Sequence, residues 1–376
     1  MRHRITRAAI KRATWKETLL RSMRGKRMAA IGVTCGLALF VTACGEAPDS
    51  DSGNEAVAKD FKACMVTDTG GVEDRSFNAS AWQGMNAAVE AEPAVEVAVK
   101  ESQTEADYET NLVGFINEGC DLIVAVGGLM GEALTTVATD YPDQRFAIVD
   151  ANLSDLPNVY SMEFNAAQSS FLAGYLAAGT SETGKVATYG GLNIPPVTIF
   201  MDGFAEGVDY YNEKNDADVA VLGWNHKSQD GSFAESFEDA AKGKSLTENF
   251  VSQGADVIFP VAGKTGLGTP TVTQTDDSLS SIWVDLDGCE SASEYCEEFL
   301  TTSEKNIPDA VSAAILSARD GGPKDGHSIG TLENGGVSLA ALRADVDADL
   351  AAEIEEVKAA IIAGDITIES IAQPKE

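Results

Sequence analysis

Side chains that could do chemistry are concentrated in one short stretch, TDTGGVEDRSFNASAW, which covers residues 67–82. A predicted strand, CMVT, runs into Asp68, and Phe77 and Asn78 stand where a helix is predicted to begin. Aspartate, asparagine, serine and glycine are also the residues that turns and helix N-caps use. In open α/β sheets, however, ligands bind outside the carboxyl ends of the strands. The stretch therefore predicts either a capped turn or one wall of a ligand site.

The same arrangement recurs at three further predicted strand ends. Asp150 follows FAIV, Gly263 follows IFPVA and Asp285 follows IWV. Each case alone is explained by turn chemistry. Because the carboxyl ends of parallel strands share one edge of a sheet, several such ends in one chain favour a common cleft.

Enzyme motifs are incomplete in this sequence. AGKTG at 262–266 resembles a phosphate loop, but Ile258 occupies the position of the first glycine. Neither a dinucleotide-binding glycine fingerprint nor a Gly-x-Ser-x-Gly elbow is present. Only His226 and His327 follow the N-terminal leader, which leaves little material for a hydrolase triad. The sequence therefore predicts a binding protein, not an enzyme, with no cofactor.

Predicted strands alternate with predicted amphipathic helices from about residue 59, which indicates an α/β fold. DLIVAV is apolar throughout, as expected in a parallel sheet that helices cover on both faces. Trp82, Met85 and Val89 recur at helical spacing. The alternation restarts after residue 165, and the folded length exceeds one ordinary core. Two doubly wound lobes with a hinged cleft between them are therefore predicted.

The N-terminus has the pattern of an export signal. The first 27 residues contain ten Lys or Arg, and MAAIGVTCGLALFVTA follows without a charge. This run is shorter than the roughly 20 residues of a membrane span, so residues 1–43 are predicted to be a signal peptide, with Met23 or Met28 as alternative starts. VTAC resembles a bacterial lipobox, which predicts a lipid on Cys44 and attachment to the extracytoplasmic face of the cell membrane. An ordinary signal peptide with an incidental cysteine is the alternative.

The segment after the signal is acidic, and so is the rest of the chain. Residues 44–58 are rich in Gly, Ser, Asp and Glu and predict a flexible tether. Ten of the 27 basic residues and one of the 59 acidic residues precede Cys44, so the remaining chain has a net charge near −41. Such a surface repels phosphate backbones, which argues against nucleic-acid binding. A salt-adapted exported proteome would equally explain the charge.

Four cysteines remain beyond the leader and the anchor: Cys64, Cys120, Cys289 and Cys296. An even number in an exported chain predicts disulfides, and three pairings are possible. The first two cysteines open predicted strands that could be neighbours, and the last two flank a short acidic loop. These positions favour pairing the first with the second and the third with the fourth. Zinc binding is the rival, but no Cys-x-x-Cys is present and no metal site is predicted.

Several motifs together resemble one known family. TDxGGxxDRSFNxSAWxG, GxDLIVAVG, RFAIVD, GKV-x3-GG, SFxDxxKGK and GADVIFPVAGKTGLG occur in this order. From about residue 60 to at least 330, they resemble the basic membrane protein family, PnrA-like lipoproteins that bind purine nucleosides for an ABC transporter. The resemblance implies the type I periplasmic-binding-protein fold, with two Rossmann-like lobes and three hinge crossovers. The implied lobes are 59–163 with 299–322, and 164–298 with 323–376.

The resemblance also implies how a nucleoside base would be bound. Phe77 and Phe237 would cover the two faces of the base. Asp68 and Asn78 would hydrogen-bond the ligand, and Asp150 would accept hydrogen bonds from N–H groups of the base.

The resemblance further implies a close approach of the backbone to the ligand and a set of residues for the sugar. Gly263 would let the backbone approach the ligand closely, and Asp285 and Lys305 would hold the ribose hydroxyls. Phe233 and Asp287 are the near-neighbour alternatives to Phe237 and Asp285.

Asp74 and Ser76, the other polar residues of the opening stretch, are predicted to cap the following helix. This leaves Asp68, Phe77 and Asn78 as its ligand groups.

The resulting hypothesis is a monomeric, lipid-anchored protein that captures purine nucleosides and delivers them to an ABC permease. A binding protein for another small ligand, such as a sugar or a signalling molecule, is one alternative. A surface receptor that does not transport is another. The two phenylalanines count against a site for a sugar alone, because such a site would have less need of a two-sided flat slot.

Overall fold

The computed structural model describes residues 60–375, which belong to one compact unit, Ala56–Glu376. The predicted signal peptide, the predicted lipid site at Cys44 and the predicted tether lie outside the described residues. None of the helices within residues 60–375 is long and apolar enough to span a membrane.

The first part of the chain alternates strands and helices. Its elements are β1 Phe61–Thr67, α1 Phe77–Ala91, β2 Val95–Lys100, α2 Tyr108–Asn117, β3 Leu122–Val126, α3 Gly131–Asp140, β4 Arg145–Val149 and β5 Val159–Phe164. β3 is buried along its whole length, as its uniformly apolar sequence predicts for a strand covered on both faces.

The same alternation resumes in the second part. Its elements are α4 Ala166–Thr180, β6 Lys185–Gly190, α5 Pro195–Asn215, β7 Ala220–Leu222, β8 Trp224–Asn225, β9 Asp230–Gly231, α6 Ala240–Ser252, β10 Val257–Val261, α7 Pro270–Thr273, β11 Ser280–Asp285, α8 Gly288–Ser291, β12 Phe299–Lys305, α9 Ile307–Arg319, β13 Gly326–Gly330, β14 Val337–Leu339 and α10 Ala348–Ala363.

The strands form two six-stranded sheets and one small ribbon, β8-β9. The first sheet has the order β13-β5-β4-β3-β1-β2, and the second has the order β14-β12-β11-β10-β6-β7. Every pairing in the two large sheets is parallel except that of β14 with β12. Each sheet is the centre of one α/β lobe.

The chain passes between the sheets three times: from β5 to β6, from β12 to β13 and from β13 to β14. The predicted fold class, with two doubly wound lobes and three crossovers, is confirmed. Strand pairing corrects the implied division at two places, because β12 pairs with β11 in the second sheet and β13 pairs with β5 in the first. Residues 299–305 therefore belong with the second sheet and residues 326–330 with the first.

One hydrophobic core extends through both lobes. Its buried side chains include Val124 of β3 in the first sheet, Phe259 of β10 in the second sheet and Phe171 of α4. α4 is buried along most of its length. Both sheets are therefore held to a shared apolar centre, and their strand ends face a common space.

Two disulfides are formed. Cys64 joins Cys120 with both residues buried, which ties β1 to the start of β3. Cys289 joins Cys296 and closes the loop between β11 and β12. A bridge that closes about 56 residues stabilises the fold by roughly 4 kcal/mol in the chain-entropy model. The pairing favoured by the sequence is the one found.

Candidate ligand-binding cleft

A cavity with about 560 Å³ of atom-free space, counted to its mouth, lies between the carboxyl ends of strands from both sheets. All eight residues predicted for the ligand site line it: Asp68, Phe77, Asn78, Asp150, Phe237, Gly263, Asp285 and Lys305. The topology thus brings together groups that are up to 237 positions apart in the sequence.

The corner after β1 is built around two buried carboxylates. The Asn78 side-chain amide donates to Asp68 Oδ1 at 2.8 Å and to Asp74 Oδ2 at 3.2 Å. The Asp74 carboxylate also accepts from the backbone N–H groups of Ser76, Asn78 and Ala79. Asp74 therefore caps α1, as predicted. The prediction for Ser76 is wrong: it occupies the N-cap position, but its side chain makes no capping hydrogen bond, because the Asp74 carboxylate already holds the first-turn amides.

A glycine makes room for the Asp68 carboxylate. Gly127 directly follows β3 with φ near 115°, and a Cβ at this position would lie 2.3 Å from Asp68 Oδ2. Sequence reasoning missed Gly127, although a glycine directly after a buried parallel strand is a usable signal of close approach.

Asp150 and Asp285 occupy matching positions in the two lobes. Asp150 directly follows β4 and Asp285 ends β11. Both have left-handed backbones, with φ of 64° and 67°. Non-glycine residues seldom adopt this conformation, which costs on the order of 1 kcal/mol and is concentrated at functional sites. The backbone of each lobe therefore points one carboxylate into the cleft.

Lys305 is the cation among these carboxylates. Its Nζ lies 2.6 Å from Asp150 Oδ2 and 3.8 Å from Asp285 Oδ1. The same Nζ lies 5.3 Å from the centre of the Phe77 ring and 4.8 Å from that of Phe200. Because Lys305 ends a strand of the second sheet and Asp150 follows a strand of the first, their ion pair joins the two lobes.

Burial dominates the electrostatics of the site. It raises the pKa of Asp68 well above its ordinary value, and the neighbouring Asp74, Asp150 and Asp285 add to the shift. Burial also raises the pKa of Asp150, against the lowering effect of Lys305. The pKa of Asp285 rises to about 7, because burial and nearby carboxylates outweigh Lys305. The cleft therefore holds carboxylates that gain from additional hydrogen-bond donors.

Two buried acceptors lack such donors. Within residues 60–375, Asn78 Oδ1 and Asp285 Oδ1 accept no hydrogen bond. A buried polar atom left unsatisfied costs about 1–3 kcal/mol. Both atoms belong to residues that line the cavity, so a ligand with N–H or O–H groups could satisfy them.

The aromatic walls come from different lobes. Phe77 is the first residue of α1 in the first lobe, and Phe237 lies between β9 and α6 in the second. The Phe237 ring rests on Gly191, where a Cβ would come within 2.3 Å of it. Gly263 has φ near 53°, a conformation that glycine adopts without strain.

The near-neighbour alternatives lie elsewhere. Phe233 packs edge-on against Trp224, with ring centres 5.9 Å apart, and does not line the cavity. Asp287 accepts from the backbone N–H of Cys289 at the start of α8. Phe237 and Asp285 are therefore the members of these pairs that reach the cleft.

One apolar wall was not anticipated from the sequence. The cavity is lined by Ile194, directly before α5, and by Pro196, Val197 and Phe200 in the first two turns of that helix. Their apolar types suit a core helix equally well, so hydrophobicity alone gave no sign of this role. The double proline that starts a helix soon after a strand end was the available signal.

Comparisons with known proteins agree with this geometry. The family model of the ABC transporter substrate-binding protein PnrA-like group, Bmp, matches residues 61–372. The chain is 32% identical over 357 residues to a CD4+ T-cell-stimulating antigen of Listeria innocua, covering 90% of this chain and 97% of that protein. It is 28% identical over 364 residues to the ABC transporter nucleoside-binding protein BmpA of Lactococcus lactis, covering 92% and 99%. A crystal structure of ABC transporter solute-binding proteins from Aeropyrum pernix superposes with a TM-score of 0.74 at 27% identity, covering 84% and 94%.

Proposed function

Because the chain belongs to the Bmp family of PnrA-like ABC transporter substrate-binding proteins, we propose that it captures purine nucleosides between its two lobes and delivers them to an ABC importer. Proteins of this family bind a substrate for a transporter and are not enzymes. They work on the extracytoplasmic side of the membrane. The identity of the ligand is the part that is proposed.

The observation that carries the proposal is the pair of phenylalanines on the cleft. Phe77 and Phe237 line one cavity from different lobes. An aromatic on each face of a base contributes about 1–3 kcal/mol per stack without reading the identity of the base. A slot with two aromatic walls suits a flat heterocycle better than a sugar alone.

Polar groups at the rim of this slot match the edges of a nucleoside. Asp68 and Asn78 lie at the corner that carries Phe77. Asp150 uses Oδ2 to accept from Lys305, which leaves Oδ1 to accept from N–H groups of a base. Asp285 would accept from a vicinal diol, and Lys305 would donate to a sugar oxygen. None of these groups needs to exchange a proton with the ligand, which suits a binder.

The comparison with the Lactococcus lactis protein supports a nucleoside ligand, since that relative is named a nucleoside-binding protein. A base whose edge leaves a buried carboxylate or amide without a hydrogen-bond partner would lose about 1–3 kcal/mol of binding free energy. We therefore expect closure of the lobes to select among bases by their hydrogen-bond donors.

Calorimetric titration tests the proposal. The protein is unfolded and refolded to remove any bound ligand, then titrated with adenosine, guanosine, inosine, cytidine and ribose. We expect one-to-one binding of purine nucleosides, weakened about tenfold or more in Phe77→Ala because one stack is lost. Tyr141→Ala, which removes an exposed aromatic ring, should bind as the wild type does. If the folded, ligand-free protein binds none of the five compounds, the base-stacking proposal is wrong.

We also propose that the mature chain is anchored through a lipid on Cys44 and acts as a monomer. The lipobox-like VTAC and the acidic tether after it support the anchor. Metabolic labelling with palmitate should mark the wild type. Labelling that persists in Cys44→Ser would disprove this site.

A further inference from the structure

The loop between β11 and β12 is a short segment of the second lobe that a disulfide closes. Its ends are joined by the Cys289–Cys296 disulfide. Gly288 N donates to Thr302 Oγ1 at 3.0 Å, which ties the base of the loop to β12. Beneath it, Ala292 packs with Trp283 and Phe299 in a buried apolar cluster. The side chains that this loop exposes are therefore held in place relative to the second sheet.

Arg75 of the first lobe contacts both this disulfide loop and β11, the strand before it. The Arg75 guanidinium forms an ion pair with Glu294, which lies inside the disulfide loop. The Arg75 carbonyl accepts a hydrogen bond from Trp283 Nε1 at 3.3 Å. Arg75 also has a left-handed backbone, with φ near 60°. Both the side chain and the backbone of Arg75, a residue of the first lobe, are thus bound by residues of the second lobe.

Arg75 stands directly beside the groups that form the ligand corner. The Asp74 carboxylate before it holds the amides of Asn78 and Ala79. Phe77, the first aromatic wall, begins α1 two residues after Arg75. A displacement of Arg75 would therefore move Phe77 and Asn78.

We propose that the Cys289–Cys296 loop is a latch across the cleft, in which Glu294 holds Arg75 and thereby positions Phe77 and Asn78 in the closed state. Arg75 and Glu294 are positioning residues that do not line the cavity. The inference rests on the proposed function only in that the closed cleft holds a nucleoside. The two side chains are 41% and 49% exposed, so the latch is a surface ion pair. Its loss should change local opening and ligand release by about two- to fivefold.

The first test needs no ligand. Amide hydrogen exchange is measured on a peptide covering residues 69–82 in the wild type and in Glu294→Gln. We expect exchange about two- to fivefold faster in Glu294→Gln, because the lobes separate more often. The wild type should approach the rate of the variant in 1 M salt, where exposed charges are screened.

Two matched variants separate the ion pair from a general effect on the loop. Glu290→Gln removes a charge from the same disulfide loop and should exchange as the wild type does. The charge swap Arg75→Glu/Glu294→Arg should restore slow exchange. The latch is refuted if Glu294→Gln and Glu290→Gln behave alike, or if the swap fails to restore the wild-type rate.

The second test distinguishes failure of the latch from failure of the proposed function. Stopped-flow release of a bound purine nucleoside should be two- to fivefold faster in Glu294→Gln than in Glu290→Gln. If the wild type binds no nucleoside but the exchange results are as expected, the proposed function fails and the latch stands. If nucleoside binds and both variants release it at the wild-type rate, the latch is wrong.

Discussion

Four buried carboxylates and one buried lysine line the same cleft, and such a set of charges is costly for the fold to maintain. Asp68, Asp74 and Asp285 are each less than a tenth exposed, and Lys305 is 3% exposed. The Asp150 side chain is 5% exposed. Removing charges from water is often not repaid by their mutual attraction. A set of this kind is retained where a binding function requires it, at the expense of stability.

Asp285 should make the ligand-free protein less stable as the pH rises. Its pKa is about 7 in the folded protein and 3.8 as the ordinary value. Between these values the folded state binds more protons, so the free energy of unfolding falls with rising pH, by at most about 1.4 kcal/mol per unit. The stability that the folded protein gains from the tightly held Asp285 proton is fully present below pH 3.8 and is lost above pH 7. Asp285→Asn should therefore gain about 2–3 kcal/mol relative to the wild type between pH 5 and 8, measured by urea unfolding.

The matched control is Asp277→Asn, which neutralises an exposed carboxylate outside the cleft. Its stability relative to the wild type should change little over the same pH range. Equal pH dependence in the two variants would contradict a raised pKa at Asp285.

At the scale of elements, α4 and α5 pack closely because glycines lie at their contact. A Cβ on Gly174 of α4 would stand 2.0 Å from the carbonyl oxygen of Phe204, and one on Gly207 of α5 would stand 2.0 Å from that of Phe171. Real Cβ atoms do not approach backbone so closely, so the helices would have to move apart. The first turn of α5 also lines the cleft, so this packing sets one wall of the site.

Gly174→Ala should destabilise the fold by at least about 2 kcal/mol, because overpacking outweighs the gain in helix propensity. Gly114→Ala in α2 is the matched control, since the nearest atoms to its added Cβ are the flexible end of Lys100, at 3.4 Å and beyond. This variant should gain up to about 1 kcal/mol. Urea unfolding measures both variants. Similar values for the two would refute close helix contact at Gly174.

The elements with strong hydrophobic patterns were predictable, and the weakly patterned strands were not. LIVAV in β3 and VIFPV in β10 are apolar runs of strand length. FLTTSEK in β12 is mainly polar and GHSIG in β13 has no alternation, so neither was predicted as a strand. Their pairing depends on neighbours that are remote in the sequence.

The site residues at the ends of β1, β4 and β11 could be predicted because an acidic residue after an apolar run is a local signal. Phe200 could not, because it lies within a helix, where an apolar residue indicates only burial.

At the scale of the whole molecule, the cleft depends on where the chain crosses between the sheets. Lys305 lies at the end of β12, in the second sheet, and α9 follows this strand. After α9 the chain returns to the first sheet at β13. Nothing local in the sequence distinguishes a strand of one lobe from a strand of the other. The division of the chain between the two lobes was therefore only implied by the family resemblance, and that division misplaced β12 and β13.

Lys305 should be the residue that lets the two lobes close without a ligand. It pairs with Asp150 of the first lobe and lies near Asp285 of the second. In Lys305→Met these carboxylates would face each other without a cation, so we expect a larger radius of gyration by X-ray scattering at pH 8. The free energy of unfolding should fall by about 3–5 kcal/mol, as when one partner of a buried pair is removed.

Protonation should reverse this effect. The pKa values of Asp150 and Asp285 are already raised, and loss of the cation would raise them further. Asp285, with a pKa of about 7, should therefore be neutral at pH 5, and the raised pKa of Asp150 favours proton uptake in the same direction. The variant should regain the compact shape and most of its stability at that pH. Lys358→Met, which removes a lysine on α10 remote from the cavity, should stay compact at both pH values. A Lys305→Met protein that is equally compact at pH 8 and pH 5 would show that charge repulsion does not control the cleft, and that the shared apolar core alone holds the lobes together.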